Sequence, residues 1–277
     1  MRDLRLAFTL SASALLAGCA GPATKSGVVA ATPHAARVPA VVIAPERAPE
    51  ATAPSAIDRL RRLAPELDPG VLALALEARS CAVRNGQANA DARLAVIDYS
   101  LPSTQKRLWV FDVAQDTLLF REHVAHGQGS GENVARRFSN VEGSYQTSLG
   151  LFRTAETYHG GNGYSLRMDG LDPGFNDAAR QRAIVMHGAW YANPDLIRTQ
   201  GRLGRSQGCP ALREGVARIV IDSLKQQQLV FAYADDAAFL QRGRSFACDG
   251  RSAGQILASA RQSIPGGGVM TAAVAAP

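Results

Sequence analysis

The chain has 277 residues, 46% of them hydrophobic, and a formal net charge of +6. That composition is ordinary for a globular protein and ample for a buried core, which excludes a fibrous or wholly disordered chain. The mild positive balance suits an anionic polymer or surface, but there is no basic helix or aromatic–basic stripe, so nucleic acid is not an expected partner.

Residues 1–18 read as an export signal. Arg2 and Arg5 give a positive start, and an apolar run from Leu6 to Leu16 ends in small residues. The run is too short for a spanning helix. Leu16-Ala17-Gly18-Cys19 resembles a bacterial lipobox, which implies lipid on Cys19 and cleavage just before it. The alternative is a plain secretory signal with a chance cysteine. Ala20 and Gly21 follow, with no Asp to retain the protein at the inner membrane. The expectation is an exported, lipid-anchored protein on the periplasmic side, at the outer membrane.

Residues 19–55 form an Ala/Pro-rich stretch carrying Pro22, Pro33, Pro39, Pro45, Pro49 and Pro54. It lacks any period and reads as a disordered or extended tether. Residues 56–90 are expected to be helical. Ile57, Leu60, Leu63, Leu67, Val71, Leu74 and Leu76 fit helices broken near Pro65 to Gly70. Residues 91–235 read mainly as strands: 94–99, 107–113, 117–125, 145–154, 164–169, 182–187 and 228–234. A short helix fits 194–200 and a longer one fits 213–227 within that block. The remainder, 236–277, is read as helical and then disordered. The fold class expected is mainly β (α+β).

The chemistry concentrates in two segments. Ile184 to Gly188, IVMHG, ends an apolar run in a histidine. Gly201 to Leu212, GRLGRSQGCPAL, presents a cysteine in a tight Gly/Ser/Pro loop. A thiol needs a base to become a nucleophile, and imidazole suits neutral pH. His187 at a strand end and Cys209 are therefore the candidate catalytic pair. Gly188 allows close backbone approach. Gly208, with Gln207 and Ser206, forms a loop whose amides can face an oxyanion. A helix starting near Arg213 is expected to favour the thiolate.

These segments resemble the murein branch of the L,D-transpeptidase catalytic domain (YkuD-like). The resemblance extends in order through KRLWVFD, VAHGQGSG, FSN, SYQTSLG, ETYHG, YSLRMDGLDPGFND, RAIVMHG and GRLGRSQGCPAL, about residues 92 to 234. It implies a β-sandwich catalytic domain with flanking helices. It also implies peptidoglycan as partner, no cofactor and no metal. The implied chemistry is acyl transfer: His187 deprotonates Cys209, which takes a stem-peptide carbonyl as a thioester and passes it to an amine. Water as acceptor implies an L,D-carboxypeptidase instead, and a dead site implies a non-catalytic wall-binding protein. Gln207 stands where most members have a second histidine, and Pro210-Ala211 departs from the common pattern. The group that binds the substrate carboxylate is thereby left open. Arg205 and Arg213 are candidates, ahead of Arg202, and each has a solvated surface charge as its alternative.

Other residues carry weaker expectations. His126 and Tyr164 are candidates for the substrate groove, together with Tyr145, Ser148 and Arg167. Trp190 is a candidate cleft wall. His123 and His126 lie three apart, which on a strand points them to opposite faces and argues against a shared metal. Cys81 and Cys248 flank the central block. In an oxidising compartment they are either a disulfide or two buried thiols. Oligomeric state is not legible.

Overall fold

The computed structural model describes residues 55–263. The export signal, Cys19, the tether before Ser55 and the tail beyond residue 263 lie outside the described residues.

The described chain opens with two helices, α1 (Ala56–Leu63) and α2 (Pro69–Arg84). Asp68 sets the start of α2. Its carboxylate accepts from the amides of Gly70 at 2.8 Å and Val71 at 3.0 Å, and Pro69 fills the first helical turn, where no amide is needed. Three strands follow: β1 (Leu94–Asp98), β2 (Leu108–Asp112) and β3 (Thr117–Glu122). After a long irregular stretch come β4 (Gly150–Gly160), β5 (Gly163–Gly170) and β6 (Val185–Gly188). Then come α3 (Asp195–Gln200), β7 (Ala211–Leu212), α4 (Glu214–Leu224), β8 (Leu229–Tyr233), α5 (Ala237–Arg242) and α6 (Ala253–Gln262).

The eight strands form one mixed sheet in the order β3-β2-β1-β8-β4-β5-β6-β7. The parallel pairs are β1 with β8 and β6 with β7. LAVID and LVFAY are buried at every position, as expected of strands covered on both faces. Trp109, Phe111, Phe231 and Tyr233 supply the bulk of the core. Helix α2 packs on α6, and α4 packs on β6. Cys81 in α2 and Cys248 in the loop before α6 are disulfide-bonded, with Cα atoms 5.7 Å apart.

Of the strand and helix boundaries that differ from the sequence reading, three fall at a backbone with positive φ. Strand β4 starts at Gly150 rather than residue 145, because Tyr145 (φ 53°) and Gly150 (φ 115°) interrupt extension. Strand β6 starts at Val185 because Ala183 sits at φ 51°. Helix α4 ends at Leu224, and Gln226 and Gln227, at φ 64° and 63°, turn the chain into β8.

The YSLRMDGLDPGFND segment holds the sheet to its surroundings through a buried carboxylate. Asp172 accepts from the amide of Leu151 at 2.7 Å and from those of Arg244 and Ser245 at 2.7 and 2.8 Å. Asn176 closes the cluster by donating to Leu151 O at 2.9 Å. A buried acceptor satisfied by three backbone donors locks these segments together. It fixes the chain that runs on to Arg182 and β6.

Candidate active site

His187 lies on β6, and Cys209 lies two residues before β7. The parallel register pairs His187 with Ala211 and Gly188 with Leu212. That pairing carries the loop before β7 alongside the start of β6, and so closes the 22 positions between His187 and Cys209. Cys209 Sγ accepts from the Val185 amide at 3.4 Å and donates to Ala183 O at 3.7 Å. Val185 and His187 are two apart on one strand, so their side chains share a face. Both Cys209 and His187 border a cavity of about 500 Å³.

His187 Nδ1 lies 2.9 Å from its neighbour's carbonyl, Gly188 O. A carbonyl only accepts, so Nδ1 carries the proton and Nε2 keeps its lone pair. The edge of Tyr191 packs against the imidazole, with ring centroids 6.4 Å apart. Burial pushes the His187 pKa down, opposed by the Gly188 hydrogen bond. Burial pushes the Cys209 thiol up, opposed by the Val185 amide and the charge of Arg182. Both side chains are therefore neutral at rest. The helix expected near Arg213 is α4, which starts at Glu214. Strand β7 intervenes between Cys209 and α4, and Glu214 stands in the first turn of that helix.

The loop is held by Ser206. Its hydroxyl donates to Cys209 O at 2.6 Å and accepts from the Gly208 amide at 3.1 Å. Ser206 thus orders the loop, and the Gly208 N–H is not free for an oxyanion. Gly208 has a different role. Its φ is 124°, and a Cβ there would meet Gln146 O and Ile184 Cδ1, each at 2.9 Å. Only glycine fits. Gln207 and Cys209 do border the cavity.

Several candidates lie elsewhere. Arg213 forms a two-pronged ion pair with Glu122, at 3.2 and 2.9 Å, and does not border the cavity. Gly188 faces α4, where a Cβ would stand 3.0 Å from Ala217 Cβ. Tyr164 donates to Asp222 at 2.8 Å, with Arg218 over its ring. His126 is fully buried. Its Nδ1 lies 2.7 Å from Arg107 Nη2, and its Nε2 lies 3.3 Å from Gly131 O. Since guanidinium only donates, Nδ1 accepts and Nε2 carries the proton. Trp190 is exposed and does not border the cavity; Tyr191 does. Arg205 and Tyr145 border it, and Arg205 is paired with Glu132 at 2.8 Å. Arg202 joins the same carboxylate at 3.0 Å. Among the described residues, no three His, Cys, Asp or Glu side chains converge as a metal-binding set.

Sequence reasoning missed Arg182, Ala183, Asn162 and Tyr191, all of which border the cavity, as does Tyr158 from the Tyr158-His159-Gly160-Gly161 segment read as a candidate lid. Tyr158 and Asn162 come from the far end of β4 and its turn, which only the folded sheet brings to the cavity that Cys209 borders.

The class defined by this architecture is an α+β domain with a β-rich core and a polar cavity where β6 meets β7. The chain belongs to the L,D-transpeptidase catalytic domain family, whose model matches residues 63–233. Among solved structures, it is similar to an L,D-transpeptidase from Mycobacterium smegmatis, at 14% identity and a TM-score of 0.33, covering 52% of this chain and 59% of the other. An L,D-transpeptidase from Stackebrandtia nassauensis is similar at 13% identity and a TM-score of 0.33, covering 65% and 77%. One from Xylanimonas cellulosilytica is similar at 13% identity and a TM-score of 0.30, covering 59% and 79%. These likenesses are too distant to transfer any residue's role. No curated protein matches the chain.

Proposed function

We propose that the chain is a cysteine acyltransferase that acts on peptidoglycan stem peptides, with Cys209 as nucleophile and His187 as base. The observation that carries this reading is the shared cavity: a thiol and an imidazole with a free Nε2 border the same space from paired segments. The family supplies the substrate class.

Because thiol and imidazole start neutral, proton transfer accompanies attack rather than preceding it. The Sγ proton passes to His187 Nε2 as Sγ bonds to the stem carbonyl carbon. The amides of Gln207 and Cys209, which donate no hydrogen bond among the described residues, are the donors left for the oxyanion. Collapse expels the amine of the terminal residue, which takes the proton from His187 and leaves a thioester. An incoming stem amine attacks the thioester, gives a proton to His187, and releases a cross-linked product and the Cys209 thiol. Water in place of the amine gives trimming. The Gly188 carbonyl holds the ring throughout and stabilises the imidazolium.

The same reading puts the domain outside the cytoplasm, held to a membrane through lipid on Cys19. The Cys81–Cys248 disulfide supports an oxidising compartment. Cys19→Ala should release the protein from the membrane fraction; retention there would remove the anchor from the account.

The test of the chemistry is mass spectrometry of the domain mixed with a carbapenem. The expected result is an adduct on Cys209, absent in Cys209→Ala and strongly slowed in His187→Ala. Unmodified wild-type protein would favour a wall-binding role without catalysis. Incubation with a disaccharide tetrapeptide then separates cross-linking from trimming.

A further inference from the structure

Two segments with no part in the proton transfers, VAHGQGSG and SYQTSLG, meet against the thiol loop at one hydroxyl. Thr147 is buried and does not border the cavity. Its Oγ1 accepts from the Gly127 amide at 2.9 Å and donates to Gly208 O at 3.2 Å. The directions are fixed, because an amide N–H only donates and a carbonyl only accepts. The Thr147 backbone is held in turn. Its amide donates to Ser130 Oγ at 2.9 Å, and its carbonyl accepts from the Ser139 amide at 3.1 Å. Gly127 packs on the loop itself, since a Cβ there would stand 2.8 Å from Gly208 Cα. The hydroxyl therefore has one place to sit and one acceptor to serve.

Gly208 O belongs to the peptide unit that also carries the Cys209 N–H, one of the two amides left for the oxyanion. In a planar trans peptide the carbonyl and the N–H point in opposite directions. Gripping Gly208 O on the buried side thus turns the Cys209 N–H toward the side of the cavity. Without that grip the unit has another choice. Gly208 lacks a Cβ and sits at φ 124°, so the peptide plane after it rotates at low cost. Ser206 Oγ fixes the units on either side, through the Gly208 amide and Cys209 O. The Gln207 amide is oriented by backbone alone: its peptide carbonyl, Ser206 O, accepts from the Gln128 amide at 2.8 Å. The Gly208–Cys209 unit instead depends on a hydroxyl from another segment.

We propose that Thr147 is a positioning residue for acyl transfer: its hydroxyl orients the Gly208–Cys209 peptide so that the Cys209 N–H meets the oxyanion. This rests on the reading of Cys209 as nucleophile. Thr147 does not border the cavity, so it acts only through that amide. Its effect is confined to steps in which negative charge develops on a carbonyl oxygen.

The test compares two reactions of the same thiol in the full chain. Acylation by a carbapenem puts negative charge on the lactam oxygen as Sγ bonds to the carbonyl carbon; the ring C–N bond then breaks and the nitrogen takes the thiol's proton. Exchange with a dipyridyl disulfide forms an S–S bond, releases pyridinethione with that proton, and puts no charge on oxygen. Thr147→Val keeps the shape of the side chain and removes the hydroxyl. It should slow acylation by about ten- to a hundredfold, less than the roughly 10²- to 10³-fold for outright loss of an oxyanion donor. The exchange rate should stay at the wild-type value. Thr147→Ser, which keeps the hydroxyl, should restore acylation. Thr147→Ala carries the same prediction as valine if the valine protein does not fold. Equal slowing of both reactions overturns the proposal, since a displaced thiol is slow toward either reagent. Wild-type acylation in Thr147→Val overturns it too. Both outcomes leave Cys209 as the nucleophile. A wild-type protein that exchanges with the disulfide but is never acylated sinks the acyl-transfer reading itself.

Discussion

The two cysteine sites use one element in opposite ways. On the helical side, Cys81 and Cys248 close a disulfide across 167 positions, between α2 and the loop before α6. On the cavity side, Cys209 is a free, buried thiol. The backbone around each differs accordingly. Cys81 sits in regular helix. Cys209 sits among Gly208 at φ 124°, Ala183 at φ 51° and Tyr145 at φ 53°. Strain of this kind persists only where the surroundings impose it, and it gathers where a site must be held in shape. The helical side contributes stability, and the cavity side gives some up to fix a thiol beside a base.

The largest effect should come from the base. His187→Ala removes the Nε2 acceptor, and acylation of Cys209 should slow by about 10²- to 10⁴-fold, the usual range for a positioned general base. Stopped acylation assays would read it. A His187→Ala protein that acylates at the wild-type rate would erase the distinction between the two sulfurs. The opposite cut is Cys81→Ser with Cys248→Ser. Unfolding free energy should fall by about 2–5 kcal/mol, as for loss of a native bridge closing a long loop. Acylation of Cys209 at low temperature should be unchanged. A fall in the acylation rate would show that the bridge shapes the cavity as well as the helices.

Gly208→Ala tests the strain directly. The alanine Cβ would meet Gln146 O and Ile184 Cδ1 at 2.9 Å, on a backbone that L residues avoid. A cost of about 1–3 kcal/mol is expected, together with slower acylation, since the same loop carries the nucleophile. Thermal melting and acylation should both respond. A variant that lost neither would mean the loop relaxes freely.

The contrast between the two sides also explains what could be read from sequence. The centre of the sheet was legible because LAVID, LWVFD and LVFAY are continuous apolar runs, and burial on both faces writes itself into composition. His187 and Cys209 were legible because glycines flank both and the ordered motifs surround them. Strand β7 was not: two residues, Ala211 and Leu212, carry no period. Its pairing with β6 is nonetheless what joins the site. The end of α4 was hidden because Gln226 and Gln227 adopt positive φ without glycine. Arg182 was hidden for another reason. Nothing local separates it from Arg180, which forms ion pairs with Glu156 and Asp169 at the surface. The difference lies in which neighbours the Asp172 cluster brings to each, and that is a property of the fold. For His126, a histidine in a glycine-rich loop that reads as either structural or substrate-adjacent, the fold supplies the structural place, buried on Arg107.

The smallest effect is a pH dependence carried by buried histidines of the described residues. His123, His126 and His187 all have pKa values below the ordinary histidine value, in each case chiefly through burial. His126 is lowered furthest, to about 3, with Arg107 as the second cause. A folded-state pKa below the unfolded one means that the unfolded chain binds the proton first. Stability is then complete above about pH 6.5 and drains away as pH falls toward 3. At pH 5.5 the loss for His126 is set by the unfolded titration alone and comes to about 1.4 kcal/mol. Asp98 acts in the opposite direction. Burial raises its pKa to about 6, so it favours the fold below pH 3.8 and loses that contribution as pH rises through 6. The two trends oppose each other between pH 4 and 6, and only the histidines remain between 6 and 6.5. His126→Gln keeps a donor for Gly131 O and an acceptor for Arg107 but cannot titrate. Its melting temperature should therefore fall less than that of the wild type between pH 7 and 5.5. Equal slopes would mean that His126 titrates normally, which the Arg107 contact at 2.7 Å opposes. The disulfide does not titrate, so removing it should lower both curves without changing their slopes.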